Sequence, residues 1–421
     1  MFDFTTAVNR SGTLSVKWNK EAIRSICGNA EAAPFWVADM DFTAPPSVIE
    51  ALAQQVDHGV LGYPDFSTVQ TVFSHWAQKR HAWHVEPREV ITSHGMLASI
   101  ATLVELESAE GDEIILPMPA YQPFVHIIRN LGRKVRTWPM RYDEEQRRFS
   151  LDIPLLERLA RRERTPILLF CSPHNPTGRV FSESELTAVA EIAGNHGLTV
   201  LSDEIHADLT LPGHTHIPFD LLARRYDIPC ATCMAPSKTF NIAGEHFSIV
   251  VCSTNELTRR LRHRFKALHL APDLLATATA LAAYEGGYRW LTSLRQHLAD
   301  HIDLISRRLD ASGSGLHFIA PEASFIGLID CFEIMDRVKA DATHHPELYD
   351  RSASPAGGLL SRFFGQRAAV AMNDGTWFGS DYGRFVRFNY GTSTEEVSSA
   401  IDAIITAAEH LPNPSDISHR S

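Results

Sequence analysis

Two short stretches in the middle of the sequence place an acid and a lysine where both could act on a bound cofactor. Asp203-Glu204-Ile205-His206 follows the apolar run Leu198 to Leu201, and Lys238 follows a second apolar stretch around Ile228 to Met234. The pattern predicts one carboxylate and one amine at the ends of two strands. Pyridoxal phosphate requires such a pair, a lysine for a Schiff base and a carboxylate that keeps the pyridine nitrogen protonated. A surface acid and a surface lysine are the alternative, because both residue types are usually exposed.

Two turns that follow predicted strands could also contact a ligand. Ser172 to Gly178 contains two prolines and a glycine, which predict a rigid turn that presents Asn175 at the carboxyl edge of a sheet. Gly95 opens a helical stretch that begins Met96-Leu97, and a glycine at such a turn lets backbone amides meet a phosphate. A structural turn is the alternative at both places.

An aromatic and an arginine complete the set of candidates. Tyr121 lies between Pro119 and Pro123 after another apolar run and could lie flat on a heteroaromatic ring, although a core tyrosine is the alternative. Arg387 alternates with Val386 and Phe388 in a predicted strand, where a guanidinium needs a partner. A substrate carboxylate could bind it with two hydrogen bonds, and a structural salt bridge is the alternative.

Length and charge limit the class of protein. A chain of 421 residues predicts two domains. The net charge of −11 argues against nucleic acid or an anionic membrane as a partner. No run approaches the ~18 apolar residues of a spanning helix, and the first residues lack the features of a signal peptide.

The six cysteines are scattered, and several lie singly in apolar runs, which predicts reduced thiols and a cytoplasmic location. Cys230 and Cys233 form a C-x-x-C within the apolar run before Lys238, where redox or zinc chemistry is the minor alternative. The 21 histidines show no metal-ligand spacing, so no metal is predicted.

The order of elements predicts an α/β fold. Short apolar runs at 114–116, 167–170, 198–201 and 249–251 alternate with helical patterns, which indicates a mostly parallel sheet covered by helices. Ser182 and Glu185 form a capping box at the start of one of these helices. After Pro272 a long helix carries an apolar stripe from Leu294 to Leu309 and predicted strands follow it, which indicates a smaller α+β domain.

The predicted division has four parts. We expect an N-terminal segment (1–50) associated with the small domain and the active site, a large cofactor-binding domain (51–290), a small α+β domain with its connecting helix (291–411) and a loose tail (412–421).

The order of these motifs resembles the aspartate aminotransferase superfamily of fold type I pyridoxal-phosphate enzymes. Within it, four stretches are similar to the branch of cystathionine β-lyases and cysteine-S-conjugate β-lyases, the PatB/MalY-like group. They are Trp36 to Phe42, Asp203 to His206, Pro236 to Gly244 and Asn373 to Gly379.

The resemblance implies a role for each cofactor-contacting residue. Lys238 would bind the cofactor covalently and move protons, and Asp203 would pair with the pyridinium nitrogen. Asn175 would donate to the phenolic oxygen of the ring with His206 near the same edge, and Tyr121 would stack on the ring.

The resemblance also implies how the ends of the ligand are held. The phosphate would meet the turn Gly95-Met96-Leu97, Ser237 would lie beside the lysine, and Tyr63 would reach the phosphate from the other subunit of a homodimer with shared active sites. The substrate carboxylate would bind Arg387 close to the backbone of Val37-Ala38.

The implied activity is C–S β-lysis of an L-cysteine S-conjugate to a thiol, pyruvate and ammonia. An aminotransferase, or an oxidative or decarboxylating variant on the same type of amino acid, is the alternative. A regulatory binder that keeps the fold is a third reading, which the intact Lys238, Asp203, Asn175 and Arg387 disfavour.

One departure from the branch concerns the substrate. Relatives usually carry an apolar residue after the Ala-Gly of the lysine loop, whereas this chain has Glu245 and then His246. We expect both to lie near the cofactor or the substrate channel, where a carboxylate would repel small anionic substrates. This favours a larger polar conjugate over cystathionine, and a surface or interface salt bridge is the alternative.

Overall fold

The structure is a computed structural model that describes residues 2–412. Apart from Pro412, the predicted tail lies outside the described residues. The strands are β1 (Ala33–Pro34), β2 (Ile91–His94), β3 (Glu113–Met118), β4 (Lys134–Pro139), β5 (Arg141–Asp143), β6 (Arg148–Ser150), β7 (Ile167–Cys171), β8 (Thr199–Asp203), β9 (Cys230–Met234), β10 (Phe247–Cys252), β11 (His317–Ile319), β12 (Ile326–Asp330), β13 (Val370–Ala371), β14 (Asn373–Asp374) and β15 (Phe385–Asn389).

The helices alternate with the strands over most of the chain. They are α1 (Lys20–Cys27), α2 (Pro46–His58), α3 (Ser67–His81), α4 (Met96–Glu107), α5 (Gln122–Asn130), α6 (Ile153–Ala160), α7 (Glu183–His196), α8 (Phe219–Arg225), α9 (Pro236–Thr239), α10 (Asn255–Leu268), α11 (Leu274–Gly286), α12 (Tyr288–Ser312), α13 (Met335–His344), α14 (Leu359–Arg367) and α15 (Thr394–Glu409). The capping box predicted for Ser182 and Glu185 is confirmed at the start of α7.

A seven-stranded sheet organises the larger part of the chain. Its strand order is β2-β10-β9-β8-β7-β3-β4. β10 runs antiparallel to both of its neighbours, and the other pairs are parallel, so the predicted mostly parallel sheet is confirmed. Every residue of β7, β8 and β9 is buried, because helices cover both faces of the sheet.

The alternation of side chains along β7 shows how the two faces are filled. Ile167 and Leu169 join the core on the side of α4, α5 and α10, whereas Leu168 and Phe170 join the core beneath α6, α7 and α8. Because β7, β8 and β9 are parallel, the loops after all three strands meet at one edge of the sheet. The site residues that follow these strands are therefore brought together.

A second sheet follows the long helix α12. It is antiparallel, with the order β11-β12-β15-β14. The predicted apolar stripe of α12 is confirmed, since Leu294, Leu298, Ile305 and Leu309 are buried in the large core that α15 also joins.

The N-terminal segment contains two elements for which no prediction was made. Helix α1 forms there, capped by the side chain of Asn19 and anchored by three buried apolar side chains on one face. Strand β1 pairs with β13 in a two-stranded parallel sheet, so β13 lies outside the second main sheet. Local sequence patterns predicted neither helix α1 nor the pairing of β1 with β13.

The predicted domain boundaries after residues 50 and 290 fall inside helices α2 and α12, and the division stays a prediction. Within residues 2–412, the helices include none that is long and apolar enough to cross a bilayer. All six cysteines are buried and unpaired. Cys230 and Cys233 lie three positions apart on β9, which directs their side chains to opposite faces of the sheet.

Candidate active site

A cavity of about 360 Å³ lies at the edge of the seven-stranded sheet where its parallel strands end. A volume of this size suits a small cofactor. The cavity brings together eleven of the residues predicted from the sequence. They are Ala38, Gly95, Met96, Leu97, Tyr121, Asn175, Asp203, His206, Ser237, Lys238 and His246.

Asp203 is the last residue of β8 and lies buried at the floor of this cavity. One carboxylate oxygen accepts a hydrogen bond from the backbone N–H of Ile205 at 3.1 Å, and the other lies 3.9 Å from Cys171 Sγ. Burial raises the pKa of Asp203 to about 7, although the Ile205 N–H and the charge of Lys238 oppose this rise. A cationic partner would hold this carboxylate in its ionised form.

Lys238 lies on the short helix α9, which Pro236 opens directly after β9. Its Nζ donates a hydrogen bond to the backbone oxygen of Ala38 at 2.7 Å. Burial lowers the pKa of Lys238 to about 8, with a smaller contribution from the charge of Arg387. A primary amine with this pKa has a sizeable neutral fraction near pH 7, and the neutral form is the one that attacks carbonyl carbon.

Asn175 and His206 offer neutral polar groups at the same end of the cavity. Asn175 Oδ1 accepts from Arg387 at 3.3 Å, which leaves the amide N–H groups free to face the cavity. Burial lowers the pKa of His206 to about 3, so its imidazole is neutral, and its Nδ1 lies 3.0 Å from the hydroxyl of Ser324.

Tyr121 caps the start of α5 and borders the cavity with its partly buried ring. Its centroid lies 6.2 Å from that of Trp377 at an interplanar angle of 59°. Burial raises the pKa of the Tyr121 hydroxyl, so the phenol stays protonated at neutral pH.

Arg387 is buried in β15, and the groups that accept its hydrogen bonds are all neutral. It donates to the backbone oxygen of Trp36 and to Asn373 Oδ1, both at 2.8 Å, besides its contact with Asn175. Its Nε is buried without a hydrogen-bond partner. Burial lowers the pKa of Arg387 to about 10, which leaves the guanidinium charged at neutral pH. A buried cation with an unused donor suits a ligand carboxylate.

The opposite end of the cavity is formed by the turn from β2 into α4. Gly95 adopts φ +86°, a left-handed conformation that glycine tolerates, and α4 begins at Met96 without a side-chain cap. The first amides of a helix have no partners within the helix, and together with its dipole they form an anion-binding site.

Four predicted residues lie outside this cavity. Tyr63 is fully exposed, and Glu245 borders a second cavity of about 400 Å³ next to the first. Arg387 adjoins the cavity through Asn175. The backbone oxygen of Val37 accepts from the side chain of Asn389, which also donates to Asp39.

Sequence reasoning missed several contributors. His94 and Phe247 line the cavity, and Asn373 and Ser324 orient Arg387 and His206. Asn373 opens the stretch Asn373 to Gly379 noted above, so its position within a recognised motif was the available signal. Nothing local marks Ser324, which contacts a residue 118 positions away.

Within residues 2–412, no group of three His, Cys, Asp or Glu side chains is arranged to hold a metal ion.

A mostly parallel sheet with helices on both faces, joined through a long helix to a smaller antiparallel sheet, defines an aspartate aminotransferase-like fold. The sequence model of aminotransferase class I and II matches residues 35–404, and the chain belongs to that family.

Individual relatives agree with this assignment. The chain is 32% identical to cystathionine beta-lyase PatB of Bacillus subtilis (strain 168), with 96% of this chain and 99% of the relative covered. Cystalysin of Treponema denticola, whose structure contains pyridoxal 5'-phosphate, is 26% identical with a TM-score of 0.87, covering 98% of this chain and 100% of its own. The pyridoxal-phosphate-bound C–S lyase of Staphylococcus hominis is 26% identical with a TM-score of 0.86, covering 97% and 98%.

Proposed function

We propose that this protein is a pyridoxal-phosphate-dependent C–S β-lyase that cleaves an L-cysteine S-conjugate to a thiol, pyruvate and ammonia. The observation that carries the proposal is the meeting of Asp203 and Lys238 in one cavity, beside a buried arginine with an unused donor. The family and the similarity to named lyases support it.

The residues of the cavity fit this cofactor. Lys238 would carry it, Asp203 would face its ring nitrogen, Asn175 would donate to its ring oxygen, and the turn at Gly95 would hold its phosphate. The unusual pKa of Asp203 agrees with this fit, because the carboxylate has too few donors of its own to stay ionised. When bound, pyridoxal phosphate supplies an aldehyde carbon for amine exchange and a ring that withdraws electrons from the bonds at Cα.

Lys238 is the base that the geometry supports. Once the substrate amine has displaced it, its freed Nζ would take the Cα proton, and its lowered pKa of about 8 suits a base that works near neutral pH. The hydrogen bond to the backbone oxygen of Ala38 fixes the position of this amine. The negative charge of Asp203 would face the ring nitrogen and would favour the electron withdrawal that the cofactor supplies.

Arg387 would bind the substrate α-carboxylate. Its neutral partners hold the guanidinium plane without neutralising its charge, so an incoming carboxylate gains both the charge and the unused Nε–H. The Cβ–S bond then breaks, the sulfur leaves as a thiol, and water addition to the remaining three-carbon unit gives pyruvate and ammonia. The substrate and one water molecule together account for all the atoms of the thiol, pyruvate and ammonia.

An aminotransferase is the second candidate, because proton removal by Lys238 precedes either outcome. The same residues would serve an oxidative or decarboxylating variant. The printed activities of PatB and the Staphylococcus hominis protein favour β-lysis here. A regulatory binder would have no need for Lys238, Asp203, Asn175 and Arg387 in this arrangement.

The second cavity supports a larger polar group on the sulfur side of the substrate. It adjoins the first at Ala243, which lines both. Its charged lining residues are Arg10, Asp39 and Glu245, and Arg10 already pairs with Asp39 at 2.8 Å. Glu245 therefore leaves the cavity with an excess of negative charge, which disfavours anionic groups and favours cationic or hydroxyl-rich ones.

We also propose a homodimer with shared active sites. Tyr63 is fully exposed beside a third cavity, and Val60 and Leu61 next to it and Leu97 at the rim of the first cavity are exposed apolar side chains. A surface of this kind suits contact with a second copy. The cytoplasmic location inferred from the cysteines stays a prediction.

Product analysis tests the proposed reaction. The purified protein, loaded with pyridoxal phosphate, is incubated with cystathionine, simple S-alkyl cysteines and bulky polar S-conjugates. A β-lyase releases pyruvate and free thiol in equal amounts without an added keto acid. A keto acid that retains sulfur, formed only when an amino acceptor is present, would instead show an aminotransferase.

A further inference from the structure

The exposed end of the cavity contains two histidines whose pairing is a product of the fold. His94 ends β2, and His246 precedes β10, where Phe247 pairs with His94 across the two antiparallel strands. The two imidazole rings stack with centroids 5.4 Å apart and planes inclined by 16°. Both side chains are exposed and both line the cavity.

The pair lies against the turn that leads into α4. A Cβ atom on Gly95 would lie 3.5 Å from Nδ1 of His246. The imidazole of His246 therefore lies beside Gly95, the residue that precedes α4. The start of α4 and the two imidazole rings thus border the same cavity, and both the helix-start amides and the ring N–H groups can donate hydrogen bonds.

The lining of the cavity is poor in other cations. Among the described residues that line it, Lys238 is the one lysine and there is no arginine. Lys238 would hold the cofactor covalently rather than pair with its phosphate, and burial keeps the imidazole of His206 neutral. A phosphate monoester carries a charge of about −1.5 to −2 at pH 7, which needs a counter-charge beyond helix amides.

We propose that His94 and His246 form a paired imidazole clamp that binds the phosphate group of the cofactor. This inference rests on the proposed function, and it assigns His246, which was expected near the cofactor or the substrate channel, to the phosphate side. It adds His94, to which no role was assigned.

Other titratable groups near the clamp enter the design of the test. They are Glu245 beside His246, Asp273 near Glu245, His269 across the third cavity, and Lys238 and Asp203 within the first cavity. Because the phosphate group also titrates near pH 6, wild type and variant are compared with each other at each pH rather than across pH values.

The test measures the dissociation constants of pyridoxal phosphate and of pyridoxal, which lacks the phosphate, at pH 6.5 and 8.5. The variants are His94→Gln, His246→Asn and the double substitution. Asparagine is chosen at 246 because this residue has φ +45°, which asparagine tolerates. His84→Gln is the matched control, since this histidine is exposed and contacts Glu86.

Each single variant is expected to weaken pyridoxal phosphate binding about threefold to tenfold at each pH, with pyridoxal binding unchanged. The control should match wild type. Unchanged affinity for pyridoxal phosphate in the double variant, or an equal loss for both ligands, would overturn the clamp. Failure of the wild-type protein to bind either ligand would instead refute the proposed function.

Discussion

The two ends of the main cavity differ in how completely one chain builds them. At the buried end, Lys238 is fixed by a backbone oxygen, and Arg387 is fixed by neutral partners from three separate segments. At the other end, His94, His246 and Leu97 are exposed to solvent. A single chain thus completes the buried end of the cavity, whereas the other end is open to solvent, and this is where the proposed second copy would contact it.

Two buried acids, Asp203 and Asp208, differ in how many hydrogen-bond donors the protein supplies to them. Asp208 accepts from Trp76 and Thr239 and contacts His81. His81, the charge of Arg80 and Trp76 lower its pKa despite burial. Asp203 has a single backbone donor, and burial raises its pKa to about 7. Asp208 is satisfied by the protein, whereas Asp203 needs a cationic ligand to balance its charge.

The largest expected effect is that of Lys238→Ala at the buried end. Loss of the covalent anchor and the base should lower kcat/KM by more than about a thousandfold. Borohydride reduction should then link no pyridoxyl group to the chain, as mass spectrometry of the peptide around residue 238 would show. A covalent adduct on another lysine in this variant would contradict the assignment.

Asp203→Asn should have the next largest effect on activity. The variant keeps the shape of the side chain and removes the charge, which is expected to lower kcat/KM by about a hundredfold to a thousandfold, or about 3 to 4 kcal/mol of transition-state stabilisation. Near-normal turnover would show that another group faces the ring nitrogen.

The same substitution should change the pH dependence of stability in the cofactor-free protein. The folded pKa of Asp203, about 7, lies above its ordinary value of 3.8, so its stabilising contribution is complete below pH 3.8 and is lost as the pH rises through 7. At about 1.4 kcal/mol per pH unit the whole loss in wild type is about 4 kcal/mol, of which about 3 kcal/mol falls between pH 5 and pH 7. Asp203→Asn cannot ionise, so its Tm relative to wild type should rise between pH 5 and pH 8.

Asp208→Asn is the matched control for this measurement. Because the pKa of Asp208 is lowered, its contribution is present at both pH 5 and pH 8, and the variant should be less stable than wild type at both. If the Tm difference between Asp203→Asn and wild type is the same at pH 5 and pH 8, the buried carboxyl of Asp203 does not titrate as described.

Tyr63 tests the exposed end by complementation. If Tyr63 serves the site of a second copy, a hybrid of Tyr63→Ala and Lys238→Ala subunits has one site that keeps both residues. Equal mixing gives hybrids in about half of the dimers, so about a quarter of the wild-type sites should be active. Absence of recovery after proven subunit exchange would place Tyr63 in the site of its own chain.

Glu245→Leu is expected to have the smallest effect, because this side chain borders only the second cavity. The ratio of kcat/KM for cystathionine to that for a bulky polar S-conjugate should rise about threefold to tenfold, since a negative charge no longer faces the sulfur side. Glu245→Gln, which keeps the size and removes the charge, is the control for shape. An unchanged ratio in both variants would show that Glu245 does not select the substrate.

Local patterns predicted much of the fold. Buried strands such as β7 and β8 were legible because continuous apolar runs of that length are typical of parallel strands covered on both faces. The cap at Ser182 could be predicted because its hydrogen bond joins residues three positions apart. Helix α1 was missed because it is eight residues long and lies among turns.

The sequence by itself determined which chemical groups follow which strands, and hence that Asn175, Asp203 and Lys238 share one edge of the sheet. Tertiary structure decided contacts between distant segments. Arg387 contacts Asn175, which is 212 positions away in the sequence, and His94 stacks on His246. Glu245 directly precedes His246 in the sequence but borders the second cavity. Such contacts depend on strand register and on the packing of the two sheets, and neighbouring residues carry no signal for them.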